Sequence, residues 1–200
     1  MHIIKKNKLS FLIILIFTQI FLNNIVFGES LEIGDKNAKI TVKVFSSLTC
    51  PHCASFHKKI FENLKKEYIS KKQVKFEHHA FPLDLAALNA EKIIRCASNL
   101  EAKFELLSII YERQKKWAVG SNIDAINESL IKIGLDAGID ETSLGKCLKN
   151  EKTQELILNE RIEAQKKYSI SSTPTIYIND KKYEDKHEFK SFKKHIDKLL

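Results

Sequence analysis

Two cysteines three residues apart form the part of this sequence best suited to chemistry. Cys50 and Cys53 enclose Pro51 and His52, and an amphipathic pattern from Cys53 onward predicts a helix that starts at this motif. A thiol at the first turn of a helix meets unpaired backbone N–H groups and the positive end of the helix dipole, which favour the thiolate. Pro51 suits this turn because its missing N–H would have no partner there. His52 adds a hydrogen-bond donor or a positive charge beside the thiolate, and Cys53 can close a disulfide with Cys50.

A stabilised thiolate at Cys50 has a redox consequence. Each unit by which the fold lowers its pKa stabilises the reduced pair by about 1.4 kcal/mol and raises the reduction potential by about 30 mV.

The C-x-x-C spacing alone is also compatible with half of a zinc site or with a structural disulfide. Zinc needs two further ligands, and His57 is the nearest candidate. Cys96 and Cys147 are single cysteines rather than a second C-x-x-C, so we expect no metal.

The residues that flank the motif predict a strand on each side of the helix. Residues 39–45 alternate between apolar and polar side chains, which is typical of a half-buried strand. Residues 73–80 resemble a second strand. The predicted order places Cys50 between the first strand and the helix of an α/β unit.

The remaining residues predict a helical insertion followed by a return to the α/β unit. Apolar residues recur at helical spacing after the second strand, with breaks at residues 120–122 and around 134–140. The residue pattern of a β-strand returns at residues 173–178. It is followed by a turn, a short strand that ends at Tyr183, and a last amphipathic helix. The predicted parts are residues 29–82, an all-helical insertion over residues 83–167, and residues 168–200.

A single proline, Pro174, follows Thr173 at the start of the last predicted long strand. A cis bond before proline costs only about 0.5 to 1 kcal/mol, so a fold can use one where the chain must turn its backbone toward a neighbour. Taken alone, Pro174 is an ordinary trans proline at a strand start. Taken together with the cysteine motif, it favours a cis bond.

The first 28 residues have the anatomy of a signal peptide. Three lysines near the start precede an apolar stretch led by residues 11–17, and the small residue Gly28 ends the segment. We predict cleavage after Gly28, and an uncleaved N-terminal anchor is the alternative. In both cases the rest of the chain is expected in a compartment where disulfides persist.

Composition and charge exclude several classes of protein. The chain is 44% hydrophobic and 29% charged, with six Gly and three Pro, which argues against disordered and fibrous proteins. The net charge of +8 comes from lysines that are spread between acidic residues rather than gathered into a basic block. We therefore expect no nucleic-acid partner.

Two segments carry a resemblance to a known family. The runs ITVKVFSSLTCPHCASFH, residues 40–57, and YSISSTPTIYIN, residues 168–179, resemble the signature segments of the DsbA-type thiol-disulfide oxidoreductases. FPLDLAALNAEKIIRCA and QKKW are also similar to that family, and the resemblance covers nearly all of residues 31–200. It implies a thioredoxin fold with a helical insertion domain.

The resemblance also implies roles for individual residues. Cys50 would be the exposed attacking cysteine, Cys53 its buried partner, and His52 the residue that tunes them. Thr173 and a cis Pro174 would hold the extended chain of a substrate beside the disulfide.

The resemblance further implies partners and location. The substrates would be unfolded or partly folded exported proteins with cysteine pairs. A membrane quinone-linked partner of the DsbB kind would restore the disulfide, without a diffusible cofactor. The location would be the periplasm, and we expect a monomer.

Cys96 and Cys147 lie in the predicted insertion, and a subset of the family carries a second disulfide. If Cys50 pairs with Cys53 at the active site, Cys96 and Cys147 remain to form it. Closing that loop would stabilise the fold by about 4 kcal/mol in the chain-entropy model. Two separately buried thiols are the alternative.

This sequence departs from the family pattern in places. Many relatives carry an acidic residue six positions before the first cysteine, where it is thought to help proton transfer to the buried cysteine, and here that residue is Val44. Glycines near the Thr-Pro pair are replaced by Ser169 and Ser172.

Three alternatives to a disulfide-forming enzyme stay open: a disulfide reductase, an isomerase of the same fold, and a non-catalytic exported module that uses the cysteines as a metal site or a structural staple.

The remaining polar residues have structural interpretations. His78 and His79 occupy adjacent strand positions and therefore point to opposite faces, so we expect them to be structural. Trp117, together with Gln114, is expected to pack between helices. His187 is expected to be solvated.

Overall fold

The computed structural model describes residues 31–200, which form one mixed sheet with helices packed on both of its faces. The predicted signal peptide lies outside the described residues. The strands are β1 Leu31–Ile33, β2 Ile40–Ser46, β3 Val74–Ala80, β4 Thr175–Ile178 and β5 Lys181–Lys182. Their spatial order is β1-β3-β2-β4-β5. Only the central pair, β2 and β3, is parallel; the other neighbours are antiparallel.

The first helix, α1, spans residues 51–69 and follows β2 after a short loop. Its α-helical segments Pro51–Phe56 and Glu62–Leu64 alternate with π-helical segments His57–Phe61 and Lys65–Ile69. The later helices are α2 Leu85–Arg95, α3 Leu100–Glu112, α4 Gln114–Trp117, α5 Ile123–Asp136, α6 Glu141–Leu148, α7 Glu151–Tyr168 and α8 Phe189–Asp197.

The alternation along β2 divides the core between the two faces of the sheet. Val42 and Val44 point into the main cluster, which also contains Phe61 of α1, Phe104 of α3 and further apolar residues of α8. Phe45 points to the opposite face and packs with residues of α7 and of the segment that follows it. Both faces of β2 are therefore buried toward its end, where Val44, Phe45 and Ser46 are all enclosed.

The predicted α/β unit with a helical insertion is present, with local differences. The three-residue strand β1 was not predicted, because three residues are too few to show an alternating pattern. The break predicted around residues 134–140 begins only after Asp136, so Gly134 lies inside α5. A side chain at Gly134 would come within 2.4 Å of Leu144, and the glycine therefore lets α5 and α6 pack closely.

An additional break separates α2 from α3. Asn99 stops the helical pattern there because its side chain accepts a hydrogen bond from the backbone N–H of Ala102 at 2.9 Å and begins a new helix. The insertion therefore consists of several short helices, α2 to α6, and the longer α7, which leads back to β4.

Candidate active site

Cys50 lies at the junction between β2 and α1, where it is the N-cap residue of the helix and Pro51 occupies the first helical turn. Its carbonyl accepts the backbone N–H groups of Cys53 and Ala54 at 3.1 and 3.2 Å. Cys50 is 8% exposed and Cys53 is 1% exposed, and both are free thiols. Cys50 is thus the more accessible sulfur, although it is more enclosed than the predicted exposed cysteine.

The pKa of Cys50 is lowered to about 5. The largest cause is the hydrogen bond from the thiol of Cys53, which outweighs the opposing effect of burial. Contact with Thr173 and the backbone N–H groups of Cys53 and His52 lower it further. Sulfur at this helix start is therefore stabilised as a thiolate by donors that the fold holds in place.

The pKa of Cys53 moves in the opposite direction. Burial raises it most, and the hydrogen bond with Cys50 and the charge there add to the effect. Cys53 consequently keeps its proton while Cys50 carries the negative charge. Because the two thiols differ so much in acidity, Cys50 can act as the leaving group in an exchange, and the buried Cys53 can act as the slower nucleophile.

Thr173 and Pro174 are brought to the cysteines from the other end of the chain. The peptide bond between them is cis, and the carbonyl oxygen of Thr173 lies 3.3 Å from the Cys50 sulfur, which can donate its S–H to it when protonated. The Thr175 hydroxyl donates to the Ser172 carbonyl at 2.7 Å. This loop therefore forms one wall of the site.

His52 lies on the exposed side of the cysteine pair. His187 is also exposed, as predicted for a solvated residue, yet it lies close to the site. Its ring meets that of Phe56 edge-on, with the centroids 6.4 Å apart. The side of the ring that packs on the protein is partly desolvated, which lowers the pKa of His187, and the neighbouring His52 lowers it further.

Gln114, which was predicted only to pack between helices, is a residue of the site. Its buried side-chain amide donates to the carbonyl oxygen of Leu48 at 2.7 Å and to that of Cys50 at 3.1 Å. The insertion thus holds the loop that carries Cys50. No sequence pattern indicates this contact, because Gln114 is 64 positions away from Cys50.

Asp84 makes a second link between the insertion and the loop. One carboxylate oxygen accepts the Thr49 hydroxyl at 2.7 Å, and the other accepts the N–H of Ala87 at 2.7 Å as the N-cap of α2. An aspartate directly before a helical pattern is a recognisable capping signal. Its contact with Thr49 is decided by the tertiary fold.

The two adjacent histidines lie on opposite faces of the sheet. His78 is paired in register with Val44, and its Nε2 lies 2.8 Å from an oxygen of Glu91. His79 stacks on Phe45 on the other face. They cannot share a ligand.

His57, the candidate zinc ligand, is buried against Ser108, with Nε2 to Oγ at 2.9 Å. Its pKa is lowered to about 3, chiefly by burial and also by His78 and Lys65. It is therefore neutral near pH 7. Among residues 31–200, no three or more His, Cys, Asp or Glu side chains are grouped to hold a metal ion.

Cys96 and Cys147 are joined by a disulfide. The bond connects the end of α2 to α6, within the insertion.

No helix in residues 31–200 combines the length and the apolar character needed to cross a membrane.

Comparison with known proteins agrees with this geometry. A family model described as Thioredoxin matches residues 27–198. The chain belongs to the thioredoxin family. Among solved structures of this fold, Wolbachia pipientis alpha-DsbA1 is 25% identical, with a TM-score of 0.75 over 90% of this chain and 94% of that chain. The predicted DsbA-type resemblance and the predicted thioredoxin fold with a helical insertion are confirmed.

Two curated relatives of this thioredoxin-family chain carry names from disulfide chemistry. A Rickettsia bellii protein named "Putative protein-disulfide oxidoreductase" is 29% identical over 172 residues, which are 86% of this chain and 65% of that protein. The "Disulfide bond formation protein D" of Bacillus subtilis is 27% identical over 180 residues, covering 84% of this chain and 76% of that protein. The chain thus spans about two thirds of the length of the Rickettsia relative.

Proposed function

We propose that this chain is an exported thiol-disulfide oxidoreductase that introduces disulfide bonds into folding proteins. The observation that carries the proposal is the opposite shift of two neighbouring thiols: the pKa of Cys50 is lowered to about 5, and that of Cys53 is raised. A stabilised Cys50 thiolate favours the reduced pair, so its disulfide readily accepts electrons. The names of the Rickettsia and Bacillus relatives support the same chemistry.

The reaction proceeds by two thiol-disulfide exchanges. A substrate thiolate attacks the sulfur of Cys50 in the Cys50–Cys53 disulfide, and Cys53 leaves as a thiolate that takes up a proton. A second substrate thiolate then attacks the substrate sulfur of this mixed disulfide, and Cys50 leaves as its stabilised thiolate. The substrate loses two electrons to form its disulfide, and the cysteine pair gains them.

The other parts of the site have roles in this scheme. Thr173 and Pro174 offer backbone groups to the extended chain of an unfolded or partly folded substrate with paired cysteines. His52 stabilises the Cys50 thiolate through its backbone N–H. A membrane quinone-linked protein of the DsbB kind would reoxidise the pair, and residues 1–28 would direct the chain to the periplasm.

The reduction potential of the Cys50–Cys53 pair tests the direction of the reaction. The purified protein is equilibrated with glutathione buffers, and the reduced fraction is measured by thiol trapping. A potential well above that of the glutathione pool is expected for an oxidase. A potential well below it contradicts the proposal and indicates a reductase, and a pair that no thiol reduces indicates a structural staple.

Variants at the two cysteines test the assigned roles on a reduced, unfolded model substrate. Cys50→Ser is expected to abolish disulfide formation, because it removes the attacked sulfur. Cys53→Ser is expected to accumulate mixed disulfides visible on non-reducing gels. Ser55→Ala, on the exposed side of the same helix, is the matched control and should behave like the unmodified protein. Full oxidase activity of Cys50→Ser would refute the assignment.

A further inference from the structure

The loop that leads into the cysteine motif is bonded to the insertion at each of its residues. It spans residues 47–50, between β2 and α1. The Ser47 hydroxyl accepts the backbone N–H of Leu83 at 3.3 Å. The Thr49 hydroxyl donates to a carboxylate oxygen of Asp84 at 2.7 Å. Two residues of this loop are therefore held by the segment that begins the insertion, directly before α2.

Gln114 holds the other two residues of the loop. It is the first residue of α4 and is 6% exposed. Its side-chain amide donates to the carbonyl oxygen of Leu48 at 2.7 Å and to that of Cys50 at 3.1 Å. An amide nitrogen carries two donors, so this double contact uses both. The short helix that carries Gln114 is itself fixed, because the buried indole N–H of Trp117 donates to the Ile110 carbonyl at 2.8 Å.

The carbonyl of Cys50 links this contact to the reacting sulfur. The same oxygen accepts the N–H groups of Cys53 and Ala54, which are the first hydrogen bonds of α1. Gln114 therefore fixes the peptide group from which the helix starts. The position of this peptide group sets where the Cys50 sulfur lies, 3.3 Å from the Thr173 carbonyl oxygen. It also keeps the sulfur beside the backbone donors that stabilise its thiolate.

The two redox states of the cysteine pair depend differently on this support. In the oxidised protein, the covalent bond between Cys50 and Cys53 ties the outer sulfur to the first turn of α1. In the reduced protein that bond is absent, and the thiolate stays beside its donors only while the loop is held in place. A contact that one state needs more than the other shifts the equilibrium between them. Stabilisation of the reduced state makes the disulfide a stronger oxidant.

We propose that Gln114 is a positioning residue that raises the oxidising power of the cysteine pair by holding the Cys50 peptide group in the reduced protein. This inference rests on the proposed function. Gln114 acts through the carbonyl groups of Leu48 and Cys50 and exchanges neither electrons nor protons with the sulfurs. The helical insertion thereby sets the redox equilibrium of a site that lies at the edge of the sheet.

The test is the reduction potential of Gln114→Met, which keeps the length of the side chain and removes both donors. The full-length variant and the unmodified protein are equilibrated with glutathione buffers, and the reduced fraction is measured by thiol trapping. The equilibrium constant for reduction of the disulfide should fall about tenfold in the variant, which is a decrease of about 30 mV in potential. The midpoint of the Cys50 thiolate titration should rise by about one pH unit.

A purely structural role for Gln114 predicts a different result. Loss of packing alone would weaken the oxidised and the reduced protein equally and would leave the potential unchanged. Urea denaturation of both redox states of Gln114→Met separates the two cases. The substitution should destabilise the reduced protein more than the oxidised protein, and an equal loss in both states would overturn the inference.

Gln154→Met is the matched control. Gln154 lies on α7 in the same insertion, where its side-chain oxygen accepts the ammonium group of Lys92 at 3.3 Å, and its replacement should leave the potential unchanged. Gln114→Glu keeps the shape of the side chain but lacks the N–H donors, and it provides the test if Gln114→Met does not fold. Its potential should also fall.

The outcomes for this inference and for the proposed function are separate. A potential equal to that of the unmodified protein in a folded Gln114 variant would overturn the role of Gln114, whatever the absolute value is. An unmodified protein whose potential lies well below that of the glutathione pool would instead refute the proposed function.

Discussion

At the scale of single residues, the acidity of Cys50 depends on the state of its partner sulfur. The hydrogen bond from Cys53 is the largest cause of the lowered pKa, ahead of Thr173 and the backbone N–H groups. The helix start therefore explains only a part of the effect. A replacement at Cys53 should consequently change the chemistry of Cys50 even though the Cys50 sulfur is retained.

This dependence predicts the outcome of a titration of the Cys50 thiolate followed by ultraviolet absorbance. The unmodified, reduced protein should titrate with a midpoint of about 5. Cys53→Ala should raise the midpoint because the thiol donor is lost. Cys53→Ser keeps a hydroxyl donor at the same position and should raise it less. Identical midpoints in the three proteins would contradict the assigned cause.

The same shift has a defined sign for stability. A thiol whose pKa is lower in the folded protein than in the unfolded chain stabilises the fold at high pH, and the effect is lost as the pH falls through the folded value, about 5 for Cys50. The reduced protein should therefore gain stability relative to the oxidised protein as the pH rises from about 5. This is the thermodynamic basis of an oxidising disulfide.

At the scale of elements, the end of α7 carries a local conflict between sequence and backbone. Ser169 terminates the helix in the left-handed region, with φ at 51°. A residue with a Cβ atom costs about 1 to 2 kcal/mol there, whereas glycine is accommodated freely. The conflict lies just before the loop that carries Thr173 and Pro174.

Ser169→Gly should stabilise the protein. After allowance for the greater entropy of glycine in the unfolded chain, we expect a gain of about 0.5 to 1 kcal/mol in the free energy of unfolding. Ser172→Gly is the matched control, because Ser172 is not among the residues with positive φ, and it should give no gain. Urea denaturation of the oxidised proteins measures both. Equal effects of the two substitutions would argue against strain at Ser169.

At the scale of the whole molecule, a partly buried charge network ties the insertion to the sheet. His79 of β3 lies between Glu77 at 3.0 Å and Glu160 of α7 at 3.3 Å, and Arg95 of α2 contacts the other oxygen of Glu160 at 2.8 Å. Burial lowers the pKa of His79, but the hydrogen bonds and charges of Glu160 and Glu77 outweigh it and raise the pKa overall. Breaking such a network leaves uncompensated buried charge.

The raised pKa of His79 sets the direction of a pH effect on stability. Its contribution is fully present below the ordinary histidine value of 6.5 and is lost as the pH rises through the folded value. The free energy of unfolding should therefore decline as the pH rises above the ordinary histidine value of 6.5, and His79→Gln should flatten this decline. Urea denaturation of the oxidised protein, in which neither Cys50 nor Cys53 titrates, isolates the effect. An equally steep decline in His79→Gln would contradict the prediction.

Much of the fold could be predicted from the sequence because the relevant signals are local. Strand β2, the helix that starts at Pro51 and the turn back into β4 follow from alternation, capping and periodicity within a few residues. The motif also indicated which cysteines could exchange. The strand β1 and the break before Asn99 were missed because a three-residue strand and a single capping residue leave little pattern.

The sequence by itself determined that Cys50 stands at a helix start with Cys53 one turn away, and a thiol there meets backbone donors in any fold that keeps the helix. Only the tertiary structure decided what surrounds that pair. Gln114 reaches the Cys50 carbonyl from the insertion, and the carbonyl of Thr173 reaches the Cys50 sulfur from the far end of the chain. Such contacts join residues far apart in the chain, and no local pattern records them because they exist only once the helices have packed on the sheet.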